Sequence, residues 1–167
     1  MGSRAAVGLL MAPRLASAAR QSRSVAFYNL HTSERLTVDY LVNGRYQSDA
    51  LRAVNRILRD HYSGDVHPID PGLLDVIWEL RLRMESRAPY HVLSGYRSPQ
   101  TNAMKAREGR GVAPHSFHMQ GRAVDLFLPD RDLRLLRRAA LSLRAGGVGY
   151  YPRPGFVHVD TGPVRTW

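Results

Sequence analysis

Leu36, Val38 and Tyr40 alternate with polar neighbours along residues 35–42, the period of a strand with one buried face. A second β-prone run over residues 26–32 precedes it with only Ser33-Glu34 between, so the two are predicted as a hairpin. Asn43-Gly44 marks the next turn, and the period then changes. Leu51, Val54, Ile57 and Leu58 recur at helical spacing over residues 48–62, with Ser48 in position to cap that helix. Gly and Pro residues break the chain between positions 63 and 71. Beyond them Leu73, Leu74, Ile77, Trp78, Leu80 and Leu82 predict a second helix, with Asp70 as its cap, Pro71 at its first position and an end near Arg87.

From Tyr90 onward the elements shorten. The pattern predicts a strand through His91-Val92-Leu93, a loop over 94–99, a short helix over 100–107 and a flexible loop over 109–115. A strand at 122–128 follows, then a helix at 131–144 with Leu133, Leu136, Ala140 and Leu143 facing inward. Two strands, 148–151 and 156–160, close the chain around a turn at 152–155. No internal repeat is evident. Helices mixed with hairpin-linked strands predict an α+β domain over residues 25–167 rather than a doubly wound parallel sheet.

The first 24 residues are rich in Arg and small residues and carry no acid. Arg4, an apolar run to Pro13 and Ala16-Ser17-Ala18 have the form of a short export signal, although Arg14 interrupts the run. An organellar transit peptide and a disordered tail are the other readings of this composition.

Composition narrows the chemistry. A chain of 167 residues suits one domain, expected to be a monomer, and no stretch approaches the roughly 18–20 consecutive apolar residues of a membrane helix. Cysteine is absent, which removes disulfides, thiolate clusters and a cysteine nucleophile, so any metal must be held by His, Asp or Glu. The formal charge is +10 and Lys105 is the sole lysine. Such a balance favours anionic partners without choosing among them, and genome composition accounts for an arginine bias equally well. The arginines are dispersed and no helix-turn-helix, zinc-finger or aromatic RNA-binding signature is present, so nucleic acid is not an expected partner.

The segment richest in candidate chemistry runs from Ser116 to Asp125, joined at a distance by Phe156-Val-His158-Val-Asp160. Strand alternation turns Val124, Leu126 and Leu128 to one face and Ala123, Asp125 and Phe127 to the other. In the last strand it likewise separates Val157 and Val159 from His158 and Asp160. If these strands are neighbours, Asp125 and His158 converge, and Gly121 lets the chain turn so that His118 bends back over them. Two imidazoles and a carboxylate leave a fourth tetrahedral position for water, the arrangement of a catalytic zinc site. On spacing alone, separate hydrogen-bonded residues are the competing reading.

Ser116-x-His118-x-x-Gly121-x-Ala123-x-Asp125 with the downstream His158 resembles the metal signature of the zinc D-alanyl-D-alanine peptidase group. Phe27-Tyr-Asn-Leu-His-Thr, His67-Pro-Ile-Asp, Ser94-Gly-Tyr-Arg-Ser-Pro, Gly147-Val-Gly-Tyr-Tyr-Pro and Phe156-Val-His-Val-Asp-Thr-Gly extend the resemblance to the murein endopeptidase K-like branch. The resemblance implies a small central antiparallel sheet with flanking helices, one Zn2+ held by His118, Asp125 and His158, and hydrolysis of peptidoglycan peptide cross-links at D-centres in the cell envelope. Endopeptidase action is expected, with carboxypeptidase action as the other possibility for this group. It also implies that Arg97, in the Ser-Gly-Tyr-Arg-Ser segment, stabilises the developing oxyanion. The chain departs from better-known relatives at the general base, because the positions two and three residues before the last ligand are Phe156 and Gly155. Asp160 is then the nearest candidate base, or a carboxylate that orients His158, and His115 is the alternative. Tyr96, Tyr150 and Tyr151 are candidates to line a peptide groove or to donate to a substrate carbonyl, with plain packing beside a turn as the competing reading. The missing acid motivates a second functional reading, a metal-containing peptidoglycan-binding or regulatory module without hydrolytic activity.

Overall fold

A computed structural model describes residues 22–108 and 112–167. The signal-like segment lies outside the described residues up to position 21, as do positions 109–111 of the loop before His115. The opening hairpin forms from β1 (Arg23–Asn29) and β2 (Arg35–Val42), beginning two residues before Val25. Asn43 and Gly44 both take positive φ, the conformation that a two-residue hairpin turn needs, and they lead into the two-residue strand β3 (Arg45–Tyr46).

Helix α1 (Ser48–Ile57) stops five residues before its predicted end. The competing interactions centre on Asp60. The Asp60 N–H donates to the Asp65 carbonyl, while its carboxylate accepts from the Tyr62 and Ser98 backbone N–H groups at 2.9 Å each. Ser48 is the first helical residue, and Gln47 stands at the cap without a side-chain bond. Helix α2 (Pro71–Met84) starts as expected, with Asp70 accepting from the Gly72 N–H, and ends three residues early where Glu85 turns left-handed. The carbonyls at its end and just beyond it are held by arginine forks, because Arg81 donates to Ser86 and Arg87 and Arg131 donates to Met84 and Glu85.

The remaining elements are β4 (Tyr90–Ser94), α3 (Pro99–Arg107), a single 3-10 turn (Phe117–Gln120), β5 (Ala123–Phe127), α4 (Leu133–Leu143), β6 (Gly147–Tyr151), β7 (Phe156–Asp160) and β8 (Arg165–Thr166). Strand order is β3-β2-β1-β4-β5-β7-β6-β8. The sheet is α+β in character but mixed rather than wholly antiparallel. Its centre, β4-β5-β7-β6, is antiparallel, whereas β4 lies parallel to β1 and β8 parallel to β6. The first parallel pair arises because the chain crosses over through α1 and α2 before returning beside β1.

One apolar cluster holds these layers together. Leu73, Leu74, Ile77 and Leu80 of α2, Leu136 and Ala140 of α4, and Val54 and Ile57 of α1 pack with Phe27, Val92, Val124, Leu126, Val157 and Val159 of the sheet. Leu133 and Leu143 of α4 are only partly buried, and Leu82 is exposed. The central strands therefore commit their odd-even alternation to the core on one face and leave Asp125 and His158 on the other.

Asp60 fastens the loop that precedes α3 to the end of α1. Burial alone would raise its pKa, but hydrogen bonds from Thr101, Ser98 and Tyr62 overcome that and hold it at about 2. A folded pKa below the ordinary 3.8 contributes stability that is complete above about pH 4 and is lost as pH falls toward 2. The shift corresponds to ~2 kcal/mol at neutral pH. Asp60→Asn is expected to lower the urea midpoint at pH 7 and to narrow its gap from the wild type between pH 4 and pH 2.

Candidate metal centre

Strands β5 and β7 pair antiparallel with Asp125 directly opposite His158. Their neighbours Val124, Val157 and Val159 enter the core, so the carboxylate and the imidazole are forced to the other face, side by side. His118 reaches the same point from the 3-10 turn. Ser116 caps that turn by accepting from the His118 N–H, and Gly121 ends it at φ 65°. A Cβ at position 121 would strike the Pro68 carbonyl oxygen, so glycine is required by conformation and by space. The Gly121 carbonyl accepts from the Asp70 N–H at 2.9 Å, which ties the turn to the start of α2. Asp70 is thus more than a helix cap, since its Oδ2 also accepts from the Thr161 hydroxyl just beyond β7.

His118, Asp125 and His158 are all buried and converge as a group able to hold a metal ion. His118 Nε2 lies 3.2 Å from His158 Nδ1 and 3.3 Å from Asp125 Oδ1, and His158 Nδ1 lies 2.8 Å from the same oxygen. Zinc-ligand distances of about 2.0–2.1 Å imply tetrahedral edges of roughly 3.3 Å, so the triangle has the size of one face of such a site. The outer edges of the rings are engaged as well. His118 Nδ1 faces the Gly95 carbonyl at 2.7 Å and His158 Nε2 faces Asp160 Oδ2 at 2.9 Å. Both outer partners are acceptors, which places the ring protons outward and turns the two lone pairs inward.

Electrostatics separate the two rings, because the inner neighbour of His158, Asp125 Oδ1, is also an acceptor and invites a second proton. Burial pushes the His118 pKa down, which favours a neutral ring. Burial also disfavours charge on His158, but hydrogen bonds to Asp125 and Asp160 outweigh it and carry its pKa up to about 8. Asp125 and Asp160 are both held well below the usual carboxylate range, because the bonds they accept prevail over their burial. A metal entering here competes with a proton on His158 Nδ1.

The other candidates occupy distinct places. Asp160 lies behind His158, on the far edge of the ring from Asp125. It accepts five hydrogen bonds, from His158 Nε2, the backbone N–H groups of Gly147 and Gly162, and both terminal nitrogens of Arg165. Arg97 is buried with no carboxylate in ion-pair contact among the described residues. Its Nη1 donates to Asn102 Oδ1 at 3.2 Å, its Nε has no partner, and desolvation lowers its pKa against the pull of Asp125. His115 is exposed on its loop, and no hydrogen bond or ring contact joins it to the three converging residues. Tyr96 stacks on His67, and Tyr150 packs under Arg137 of α4. His31 stacks on His61, and His91 packs between Tyr28 and Phe127.

Sequence reasoning missed several parts of this site. The Gly95 carbonyl, the Arg165 clamp on Asp160 and the Trp167 ring, 5.2 Å from the His158 ring, were not identified. A signal for the last was present: Gly149 lies inside a strand pattern, and a glycine in a strand interior marks a close approach.

A family model described as "Peptidoglycan L,D-endopeptidase MepK" matches residues 17–167. The Escherichia coli (strain K12) protein named "Peptidoglycan L,D-endopeptidase MepK" is 42% identical over 145 residues, covering 87% of this chain and 80% of that protein. The Haemophilus influenzae (strain ATCC 51907 / DSM 11121 / KW20 / Rd) protein named "Probable peptidoglycan L,D-endopeptidase MepK" is 40% identical over 146 residues, covering 87% of this chain and 78% of its own length.

Metal binding is expected to raise the thermal midpoint in scanning fluorimetry and to release a proton. Because the His158 pKa is raised to about 8, apparent affinity should fall about tenfold per pH unit below that value. Asp160→Asn should weaken metal binding by roughly 10- to 100-fold in competition titrations and reduce this pH dependence.

Proposed function

The chain belongs to the peptidoglycan L,D-endopeptidase MepK family, and on that footing we propose that it is a zinc-dependent murein peptidase of the cell envelope that hydrolyses L,D peptide cross-links of peptidoglycan. The observation that carries the proposal is the buried triangle of His118 Nε2, Asp125 Oδ1 and His158 Nδ1, with both histidine tautomers set from behind. When bound, zinc would supply the Lewis acidity that polarises a scissile carbonyl and acidifies the attacking water.

The protein's own side chains do the rest. His118, Asp125 and His158 are the ligands. The Gly95 carbonyl and Asp160 hold the two rings in the ligating tautomer, so Asp160 is a positioning residue rather than the base, its oxygens being occupied by five donors. Arg97 brings a guanidinium with unfilled donor capacity to the field of Asp125, suited to the negative charge that develops on the carbonyl oxygen. Phe156 and Gly155 cannot take the water's proton, which leaves His115 as the candidate acceptor.

That same gap favours a second reading, a peptidoglycan-binding module that holds the metal without cutting. Mass analysis of purified sacculi and cross-linked muropeptide dimers separates the two. The zinc-loaded protein is expected to release monomers, His118→Ala to release none, and Arg97→Ala to lower kcat by roughly 10²- to 10³-fold with zinc content intact. Zinc and sacculus binding without release from any cross-link would establish the module instead.

A further inference from the structure

The wall of the site beside His158 is built from residues that ligand chemistry does not use. Gly149 stands opposite His158 in the β6–β7 register, and Tyr151 stands opposite Phe156 two residues along. Alternation therefore puts Gly149 and Tyr151 on the same sheet face as His158. The Trp167 indole fills the space over Gly149, where a Cβ would lie 2.8–2.9 Å from its ring atoms. The indole sits against the His158 ring, and its Nε1 donates to the Tyr151 hydroxyl at 2.7 Å. Backbone bonds from Trp167 N–H to Val148 and from Tyr150 N–H to Trp167 fix it there, and the Arg165 guanidinium covers it at 4.9 Å.

An indole N–H only donates, so the Tyr151 oxygen is the acceptor in this bond and its own proton points elsewhere. That O–H has no acceptor among the described residues. The ring cannot swing freely, since it stacks on Phe156 at 4.5 Å between centroids. Tyr151 also acts electrostatically on Arg97, the buried cation that follows β4.

We propose that Tyr151 is a further catalytic residue, its hydroxyl donating a hydrogen bond to the oxygen of the cross-link peptide that becomes negatively charged, and that Trp167 is the positioning residue that aims it. The donor works together with Arg97, so that one oxygen is held by a charged fork and a neutral hydroxyl. No bond to Tyr151 forms or breaks. This inference rests on the proposed peptidase function.

The test is steady-state kinetics on a purified L,D-cross-linked muropeptide dimer, with zinc content and thermal midpoint measured on every variant. Tyr151→Phe keeps the stack on Phe156 and removes only the donor. It is expected to lower kcat about 10²-fold while KM stays within a few-fold and zinc content is unchanged. Trp167→Phe keeps a ring over Gly149 but loses the N–H, and should lower kcat by a smaller factor, again with little change in KM. A second readout does not depend on turnover: mixing the dimer with zinc-loaded protein should shift tryptophan emission within the first turnover, and Trp167→Phe, which retains Trp78, should lose that shift. Wild-type kcat in Tyr151→Phe, or an emission shift that survives in Trp167→Phe, overturns the inference alone. Wild-type protein that cleaves no cross-link overturns both it and the function on which it rests.

Discussion

The site depends on one register: Asp125 opposite His158 across β5 and β7. Side chains in a strand alternate with a period of two, so burying Val124, Val157 and Val159 in the core obliges the intervening carboxylate and imidazole to share the opposite face. A slip of one residue would drive both candidate ligands toward the helices and expose the valines. The apolar core and the candidate metal centre are therefore two faces of a single constraint, and stability of the sheet is also accuracy of the site.

Around that pair, the chain spends its polar groups on orientation. Neither histidine is free to choose a tautomer, because a backbone carbonyl and a carboxylate take up the outer nitrogens. Asp160 is itself clamped by Arg165 and two backbone N–H groups, and Gly147 is bare because a Cβ there would lie 2.5 Å from Asp160 Oδ2. The arginine-rich composition has a structural role within this scheme. Arg81 and Arg131 close the end of α2, Arg165 holds Asp160, and each makes two bonds from one planar head where lysine offers a single point charge.

Much of this was legible in the sequence wherever a period or a punctuating residue carried it. Alternation around Asp125 and His158, the Asp70-Pro71 helix start and the Asn43-Gly44 turn could all be read from local chemistry. The end of α1 could not, because Asp60 joins local bonds with Tyr62 and Asp65 to one from Ser98, 38 positions away, which no local pattern announces. The parallel pairings of β1 with β4 and of β6 with β8 were hidden for the same reason, since pairing direction follows from the crossover and not from the strand's own residues. Asp160 was readable as a neighbour of His158, but its saturation by Arg165, Gly147 and Gly162 emerges only once the strands are assembled.

The bonds from Asp70 to Gly121 and Thr161 carry a consequence for timing. They join the beginning of α2 to the turn that carries His118 and to the exit of β7, segments separated by about fifty and ninety positions along the chain. No contiguous fragment that stops before β7 possesses the centre, and closing such distant contacts is a late event in folding. The three candidate ligands thus come together only after β7 has been made. In a chain of the peptidoglycan L,D-endopeptidase family, that topology keeps the candidate site unassembled in any fragment lacking β7.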